Sequence, residues 1–219
     1  GLPGAGKGTQ GALLAARYKI PHISTGSMFR RAMEAGTPMG RLAQTYIDKG
    51  HLVPDDVAIA IVKERLAAED CQRGYILDGF PRTVPQAKVL DEALEETAQR
   101  LDAAINIRIS DKEAIQRISQ RLVCSICGAT YYRRYVEERG IEVCEVCAGP
   151  LVKRADDNEE TARERLAVYL EQTHPVLAYY AEQGRLITVN GEQEIDAVHA
   201  DLLKELVQLK AGHGSSGVR

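Results

Sequence analysis

Residues 1–9 read Gly1-Leu2-Pro3-Gly4-Ala5-Gly6-Lys7-Gly8-Thr9. The pattern is G-x-x-x-x-G-K followed by Gly-Thr, where the general phosphate-loop consensus places Ser or Thr directly after the lysine. A loop of this kind follows a buried β-strand and opens an α-helix. Its glycines let the backbone approach phosphate oxygens closely, its N–H groups point inward, and the helix N-terminus adds partial positive charge. Lys7 supplies the full charge that a β- or γ-phosphate needs. The helical run at 10–18 supports this reading over that of a glycine-rich turn that binds nothing.

Working outward, the stretch before Gly1 holds no residue for the strand that such loops follow. In α/β nucleotide-binding folds that strand lies mid-sheet. We therefore expect an N-terminally incomplete copy of a longer chain, with two neighbouring strands left with unpaired edges. Whether the stretch folds without it stays open at this point.

The remainder of the chain sets bounds. Its 219 residues suit one α/β domain with inserted subdomains, and 44% apolar and 27% charged residues suit a packed core with a solvated surface. A net charge of −3 provides no whole-molecule field to recruit nucleic acid, so anionic ligands must be gripped by local Arg and Lys. No run of 18 apolar residues offers a membrane span, and no export signal is visible, so the expected location is cytoplasmic. The Gly/Ser-rich end at 211–219 reads as a disordered tail.

Periodicity predicts helix, strand, helix in alternation, which implies a parallel sheet flanked by helices. Helix is expected at 7–18. Next comes a turn at Ser24-Thr25-Gly26, with Ser27 capping a helix at 28–35. A short helix at 39–48 ends at Lys49-Gly50. Asp55, just after Pro54, reads as the cap of a helix reaching about 69, with Val57, Ile61 and Leu66 inward. A strand at 74–78 (GYILD) would deliver Asp78 to the C-terminal edge of the sheet. Helix at 83–97, strand at 103–109 and helix at 111–120 follow. Asp157 and Glu160 read as a capping pair for a long helix to about 183, kinked by Pro175, with Leu166, Leu170, Leu177 and Tyr180 inward. A last strand at 186–189 and a last helix at 193–209 complete the pattern.

Residues 121–157 break the rhythm. Cys124 and Cys127, then Cys144 and Cys147, form two C-x2-C pairs with sixteen residues between them, a four-thiolate zinc pattern. Four sulfurs close the coordination shell, so zinc here would be structural. Two disulfides, free thiols or iron are the alternatives. A block this small buries little surface alone, and a metal staple offsets that. Cys71 stands apart as a plain thiol. Arginines recur at Arg30, Arg82, Arg117, Arg121, Arg154 and Arg165, with Arg117 and Arg121 expected on one helix face.

Four stretches together carry a resemblance: GLPGAGKGTQ at 1–10, HISTGSMFR at 22–30, DGFPRTVPQA at 78–87 and KRADDNEETARERL at 153–166. They closely resemble adenylate kinase, and the cysteine block is similar to the bacterial type with a long, zinc-containing lid. The likeness runs to about residue 205. It implies a phosphate-loop core (1–23, 54–120 and 159–210), an AMP-binding subdomain at 24–53 and a lid at 121–158. It implies ATP phosphates on Gly4, Ala5, Gly6, Lys7, Gly8 and Thr9, with Arg121, Thr130 and Tyr131 covering them and the backbone near Gln193 at the adenine. It implies AMP at Thr25, Arg30, His51, Leu52, Val53, Gly79, Phe80, Pro81, Arg82 and Gln86, and the exchanging phosphates clamped by Lys7, Arg117, Arg121, Arg154 and Arg165. Asp78 is expected to serve the water shell of Mg2+, and Asp156 and Asp157 to hold the lid arginines or to cap a helix. A cytoplasmic monomer acting on ATP and AMP is implied, with neither nucleic acid nor membrane as partner. Ser27 stands where the family motif usually has Asp, so weaker magnesium organisation is expected. The alternatives are a kinase for another nucleoside monophosphate and a zinc-stapled nucleotide-binding module without turnover.

Overall fold

The computed structural model describes residues 1–154 and 156–214, with side chains described as far as Leu209. From the glycine loop the chain enters helix α1 (Lys7–Tyr18), which buries Gln10, Gly11, Leu14 and Ala15. It then runs through β1 (His22–Ser24), α2 (Thr25–Glu34), α3 (Pro38–Ile47), α4 (Asp55–Leu66) and β2 (Ile76–Asp78). Next come α5 (Val84–Glu96), β3 (Ala104–Arg108) and α6 (Asp111–Ser119). The cysteine block folds as β4 (Arg121–Cys124), β5 (Thr130–Tyr132), α7 (Arg133–Arg139) and β6 (Leu151–Val152). The chain returns through α8 (Glu159–Val168), α9 (His174–Glu182), β7 (Leu186–Asn190) and α10 (Ile195–Gly214).

The architecture is α/β with parallel strands flanked by helices, as the alternation implied. β1 pairs with β2 and β3 with β7, both in parallel. The two pairs are not hydrogen-bonded to each other among the described residues, and Gly1 lies against the backbone of Ile107. The cysteine block is a small antiparallel sheet with order β5-β4-β6.

Two apolar clusters anchor the parts. Leu2, Leu14, Ile107, Ile187, Val189 and Leu202 pack the phosphate loop and α1 onto the β3–β7 pair. Phe29, Val53, Val62, Phe80, Leu90 and Leu94 tie the α2–α3 arm to α4 and α5. Each such fully buried side chain contributes about 1.5–3 kcal/mol, so the arm is rooted in the core at its base.

Several local expectations are corrected. Helix α2 starts at Thr25, capped by Ser24, whose Oγ accepts the Ser27 N–H; Ser27 sits inside the first turn and caps nothing. Asp55 is the first residue of α4, and its side chain makes no cap. That helix stops at Leu66; Ala58 and Val62 are its fully buried residues, and Val57, Ile61 and Leu66 pack inward against the same cluster as expected. Arg117 and Arg121 do not share a helix, because α6 ends at Ser119 and Arg121 begins a strand. Asn158 caps α8 by accepting the Thr161 N–H at 2.8 Å, so Asp157 is free for another task. Helical backbone does run unbroken from Glu159 to Glu182, but a π-helical turn at Tyr169–Thr173, just ahead of Pro175, interrupts its α period. It leaves Leu170 half exposed, whereas Val176 and Tyr180 are buried. The last helix extends to Gly214, into the stretch read as a disordered tail; residues 215–219 of that tail lie outside the described residues.

Candidate active site

The glycine loop is built for backbone donors. Gly4 and Gly6 sit at φ 82° and 89°, where a side chain is strained. A Cβ at Gly4 would also lie 3.0 Å from the Ala114 carbonyl. Gly6 is the N-cap of α1 and provides no side-chain acceptor, and the first turn holds no acidic residue. The N–H groups of Lys7, Gly8 and Thr9 therefore have no acceptor among the described residues, which is the arrangement an anion completes.

Lys7 folds back over this loop. Its Nζ donates to the carbonyls of Gly1 at 2.9 Å and Leu2 at 2.8 Å. Burial pushes its pKa down to about 8; Arg82 and Arg121 push the same way, and Asp78 opposes them. Asp78 ends β2 beside the loop: a Cβ at Gly8 would meet its Oδ2 at 3.4 Å, and His22 Nε2 lies 3.6 Å from the same oxygen. Burial works to raise the Asp78 pKa, but the nearby His22 ring and the charges of Lys7 and Arg82 outweigh it and hold the carboxylate ionised.

The arm presents a second set. Thr25 is buried and donates to the carbonyls of Gly79 at 2.9 Å and Asp78 at 3.3 Å. Arg30 Nη2 donates to Ser27 Oγ at 3.2 Å. Burial first, and then Arg154, bring the Arg30 pKa down to about 10. Arg82 Nε donates to Gly79 O at 3.0 Å, and burial lowers its pKa too. Gln86 is 2% exposed; its Oε1 accepts the Arg82 N–H at 2.7 Å and its Nε2 donates to Asp55 Oδ1 at 2.7 Å. His51 reaches Glu164 on α8 at 3.1 Å, and Val53 is in the arm's core.

The third set comes from the cysteine block and the chain's return from it. Asp157 is 0% exposed, and both its oxygens are taken by the fork of Arg121, with Arg165 Nη1 at 3.2 Å. Asp156 receives Arg154 Nη2 at 2.7 Å and also pairs with Arg165. Two carboxylates thus hold three arginines drawn from β4, the lid's return and α8. Asp156 is itself held well below the usual carboxylate range: burial opposes ionisation, but the hydrogen bond and charge of Arg154, then Arg165, win. Arg117 Nε is held by Glu113 at 2.6 Å one turn back on α6, and its side chain abuts the backbone at Gly4.

One cleft is lined by Lys7, Thr25, Arg30, Asp78, Arg82, Gln86, Arg117, Arg121, Arg154, Asp156 and Arg165; the cavity of roughly 2630 Å³ that it opens also reaches into the core past Leu14 and Tyr180, more than a single small ligand needs. Lys7, Arg30, Arg82, Arg121, Arg154 and Arg165 face it, against Asp78 and Asp156 and, behind them, Asp157. The cleft is therefore cationic in a chain whose net charge is −3.

Other residues singled out from sequence sit differently. Tyr131 OH donates to Cys144 Sγ at 3.4 Å and accepts the Glu145 N–H at 2.8 Å, so its hydroxyl is committed to the cysteine cluster. Thr130 is exposed on β5. Gln193 Nε2 donates to Asn190 O at 3.1 Å and Asp201 at 2.9 Å. Cys124, Cys127, Cys144 and Cys147 place their sulfurs within 4.8 Å of one another. Two of the separations are 3.4 and 3.6 Å; a tetrahedron with Zn–S of about 2.3 Å has sulfurs about 3.8 Å apart. A Cβ at Gly149 would come within 2.8 Å of Cys124 Sγ, which accounts for the glycine there. Cys71 is buried and apart from them. Sequence reading missed the partnership of His22 with Asp78, and it took Asp55 for a cap. The signal for Asp55 was its place as the first helical residue behind a proline, where a side chain projects outward and reaches a neighbouring element.

A family model described as adenylate kinase matches residues 1–185. The chain belongs to the adenylate kinase family. The adenylate kinase of Bacillus subtilis (strain 168) is 52% identical over 210 residues, covering 96% of this chain and 97% of that protein. The adenylate kinase of Bacillus velezensis is 52% identical over 207 residues, covering 94% and 95%. That of Bacillus anthracis (strain A0248) is 51% identical over 202 residues, covering 92% and 94%. No helix among the described residues is long and apolar enough to cross a membrane.

Proposed function

We propose that the chain transfers the terminal phosphate of ATP to AMP, reversibly, to give two ADP. The observation that carries this reading is the set of lid-side arginines, Arg121, Arg154 and Arg165, held by two acidic side chains in the cleft that Lys7 and Arg30 also line. Phosphoryl transfer needs positioning and charge stabilisation and little covalent chemistry from the protein. In this reading the ATP phosphates lie along the loop from Gly4 to Thr9, on its N–H groups other than that of Ala5, which donates to Leu2 O at 3.1 Å, with Lys7 as the main charge and Arg121 from the lid. Gln193 and its backbone neighbours border the ATP base. Thr130 and Tyr131, which line the same cleft, are read as its cover on the ATP side.

AMP lies against Thr25, Arg30, His51, Leu52, Val53 and the segment Gly79, Phe80, Pro81 and Arg82. Gln86 reads its adenine edge. An oxygen of the AMP phosphate attacks the γ-phosphorus in line, the bond from that phosphorus to the β-bridging oxygen breaks, and its electron pair stays with the departing ADP. Arg117, Arg154 and Arg165 take up the charge spread over the moving group. The arm at 24–53 and the lid at 121–158 close over the site and exclude water, which would otherwise compete as acceptor.

Adenylate kinases work on ATP with Mg2+; the ionised Asp78 beside the loop fits a role on the ion's water shell, and the ion supplies charge neutralisation between the phosphates. Ser27 spends its hydroxyl on Arg30, so no metal role is given to it. The four cysteines fit a structural zinc ion, which would hold the lid's two knuckles together. A cytoplasmic monomer agrees with this reading. The test is acceptor choice: AMP, UMP, CMP and GMP are compared for ADP formation from ATP. AMP should be preferred clearly. Equal use of another nucleotide contradicts the base assignment, and tight ATP binding without any ADP contradicts turnover.

A further inference from the structure

We propose that Asp55 is a positioning residue that fixes the amide orientation of Gln86 and so sets which purine the acceptor site takes. The inference rests on the reading above, in which Gln86 meets the acceptor base.

An amide side chain can be rotated by half a turn with little change in shape, so its donor and acceptor are assigned by its partners. Here both partners are unambiguous. The Arg82 backbone N–H only donates, so the atom 2.7 Å from it must be Oε1. The Asp55 carboxylate only accepts when ionised, so the atom 2.7 Å from its Oδ1 must be Nε2. The other oxygen, Oδ2, accepts from Thr83 Oγ1 at 2.8 Å. Thr83 in turn caps α5 by accepting the Gln86 N–H at 3.2 Å. The lock therefore joins the start of α4 to the start of α5 and closes on the one amide. Gln86 is 2% exposed and borders the cleft. What it retains for a ligand is one amide hydrogen and one lone pair, in a fixed spatial order.

That order discriminates. Adenine presents an acceptor at N1 and a donor on N6. Hypoxanthine and guanine present a donor at N1 and an acceptor at O6. A Gln held one way round matches the first pattern and opposes the second at both positions; rotated, it does the reverse. Arg82 N–H alone opposes rotation with one neutral hydrogen bond, whereas Asp55 adds a charge-assisted one, which is about twice as strong.

The experiment measures kcat/KM with AMP and with IMP, at saturating ATP, in the full chain. IMP differs from AMP only at the atoms in question. Asp55→Ala should lower the AMP:IMP ratio by about tenfold, the loss of one hydrogen bond from a charged group. Asp55→Asn should restore only part of the ratio, because its Oδ1 can still accept from Nε2 but its amide can also turn and donate. The KM for ATP should stay the same in both. Because Asp55→Ala also frees Thr83, Asp55→Ser serves as a second variant; its shorter side chain keeps a hydroxyl at the helix start but falls short of Gln86, and it should lower the ratio as the alanine does. An unchanged ratio in Asp55→Ala or Asp55→Ser, or an equal loss with both nucleotides, overturns the proposal. Gln86→Leu separates the two levels. If it collapses the ratio while Asp55→Ala does not, Asp55 has no positioning role and the base assignment stands. If it too leaves the ratio intact, the assignment of Gln86 to the base fails, and the Asp55 proposal with it.

Discussion

Lys7 illustrates how a functional residue weakens the fold that carries it. Its half-buried ammonium has no ion pair among the described residues and donates to two carbonyls. The folded-state pKa is about 8, against 10.5 for a free lysine. Below about pH 8 both folded and unfolded chains carry the charge, and the full desolvation cost opposes folding. As pH rises from about 8 toward 10.5 the folded state releases its proton first, and that cost fades. Lys7→Met should therefore raise the thermal stability of the nucleotide-free chain at pH 7, by on the order of 1–3 kcal/mol, while reducing ADP formation by at least a hundredfold. A melt and a coupled assay on the same sample check both; a destabilised, active variant would contradict the account. Asp156 has the opposite sign. Its folded pKa is held below the ordinary 3.8, so its stabilising contribution is complete above that value and is lost as pH falls beneath it. Asp156→Asn should reduce stability at pH 7 and flatten the acid limb of a stability–pH curve. A curve identical to that of the parent chain would show the pairing to be idle. The glycine loop and Asp78 could be singled out at this scale because the pattern depends on residue type and spacing, whereas the arginines' roles came from the resemblance. Asp55 and His22 were not, because their roles depend on which neighbouring element their side chains reach.

At the scale of elements, most helices and strands follow the apolar periodicity, and the exceptions have local causes. The start of α8 shows one. Asp157 and Glu160 match a capping pattern, but Arg121 and Arg165 claim Asp157, and Asn158 caps instead. Asn158→Ala should cost about 1 kcal/mol and lower the melting temperature by roughly 2–4 °C; no change would show that the cap is satisfied otherwise. The π-turn at Tyr169–Thr173 could not be read from a period of 3.6, because one extra residue shifts the buried face by a step and leaves Leu170 outside. The lid is an element of another kind. Ile126 and Val146 are exposed, and what is buried there is sulfur from Cys124 and Cys144. Its order should depend on metal. Chelation should open residues 125–150 to protease while the core's circular dichroism is largely kept. A lid that resists protease after complete metal removal would contradict the structural role given to the cluster.

At the scale of the whole molecule, positive groups from the loop, the arm and the lid face one cleft, although the chain as a whole is acidic. The sequence suggested their convergence only through resemblance, since nothing in local spacing tells that Arg30 and Arg154 are near neighbours; the tertiary fold brings them together. Mutual repulsion among these cations is only partly offset by Asp78, Asp156 and Asp157, so a polyanion spanning the cleft should stabilise the closed form. ATP plus a non-reacting AMP analogue should accordingly raise the melting temperature more than either alone, and added salt should shrink the gain; additive or smaller shifts would deny that the two sites share one charge cluster.

The most direct test is stoichiometry: ATP and AMP are mixed with the full chain and Mg2+, and ADP and free phosphate are counted. Two ADP for each ATP consumed, with almost no phosphate released and no reaction without AMP, is the predicted result. One ADP and one phosphate per ATP regardless of AMP, or ATP bound and never turned over, would contradict the account.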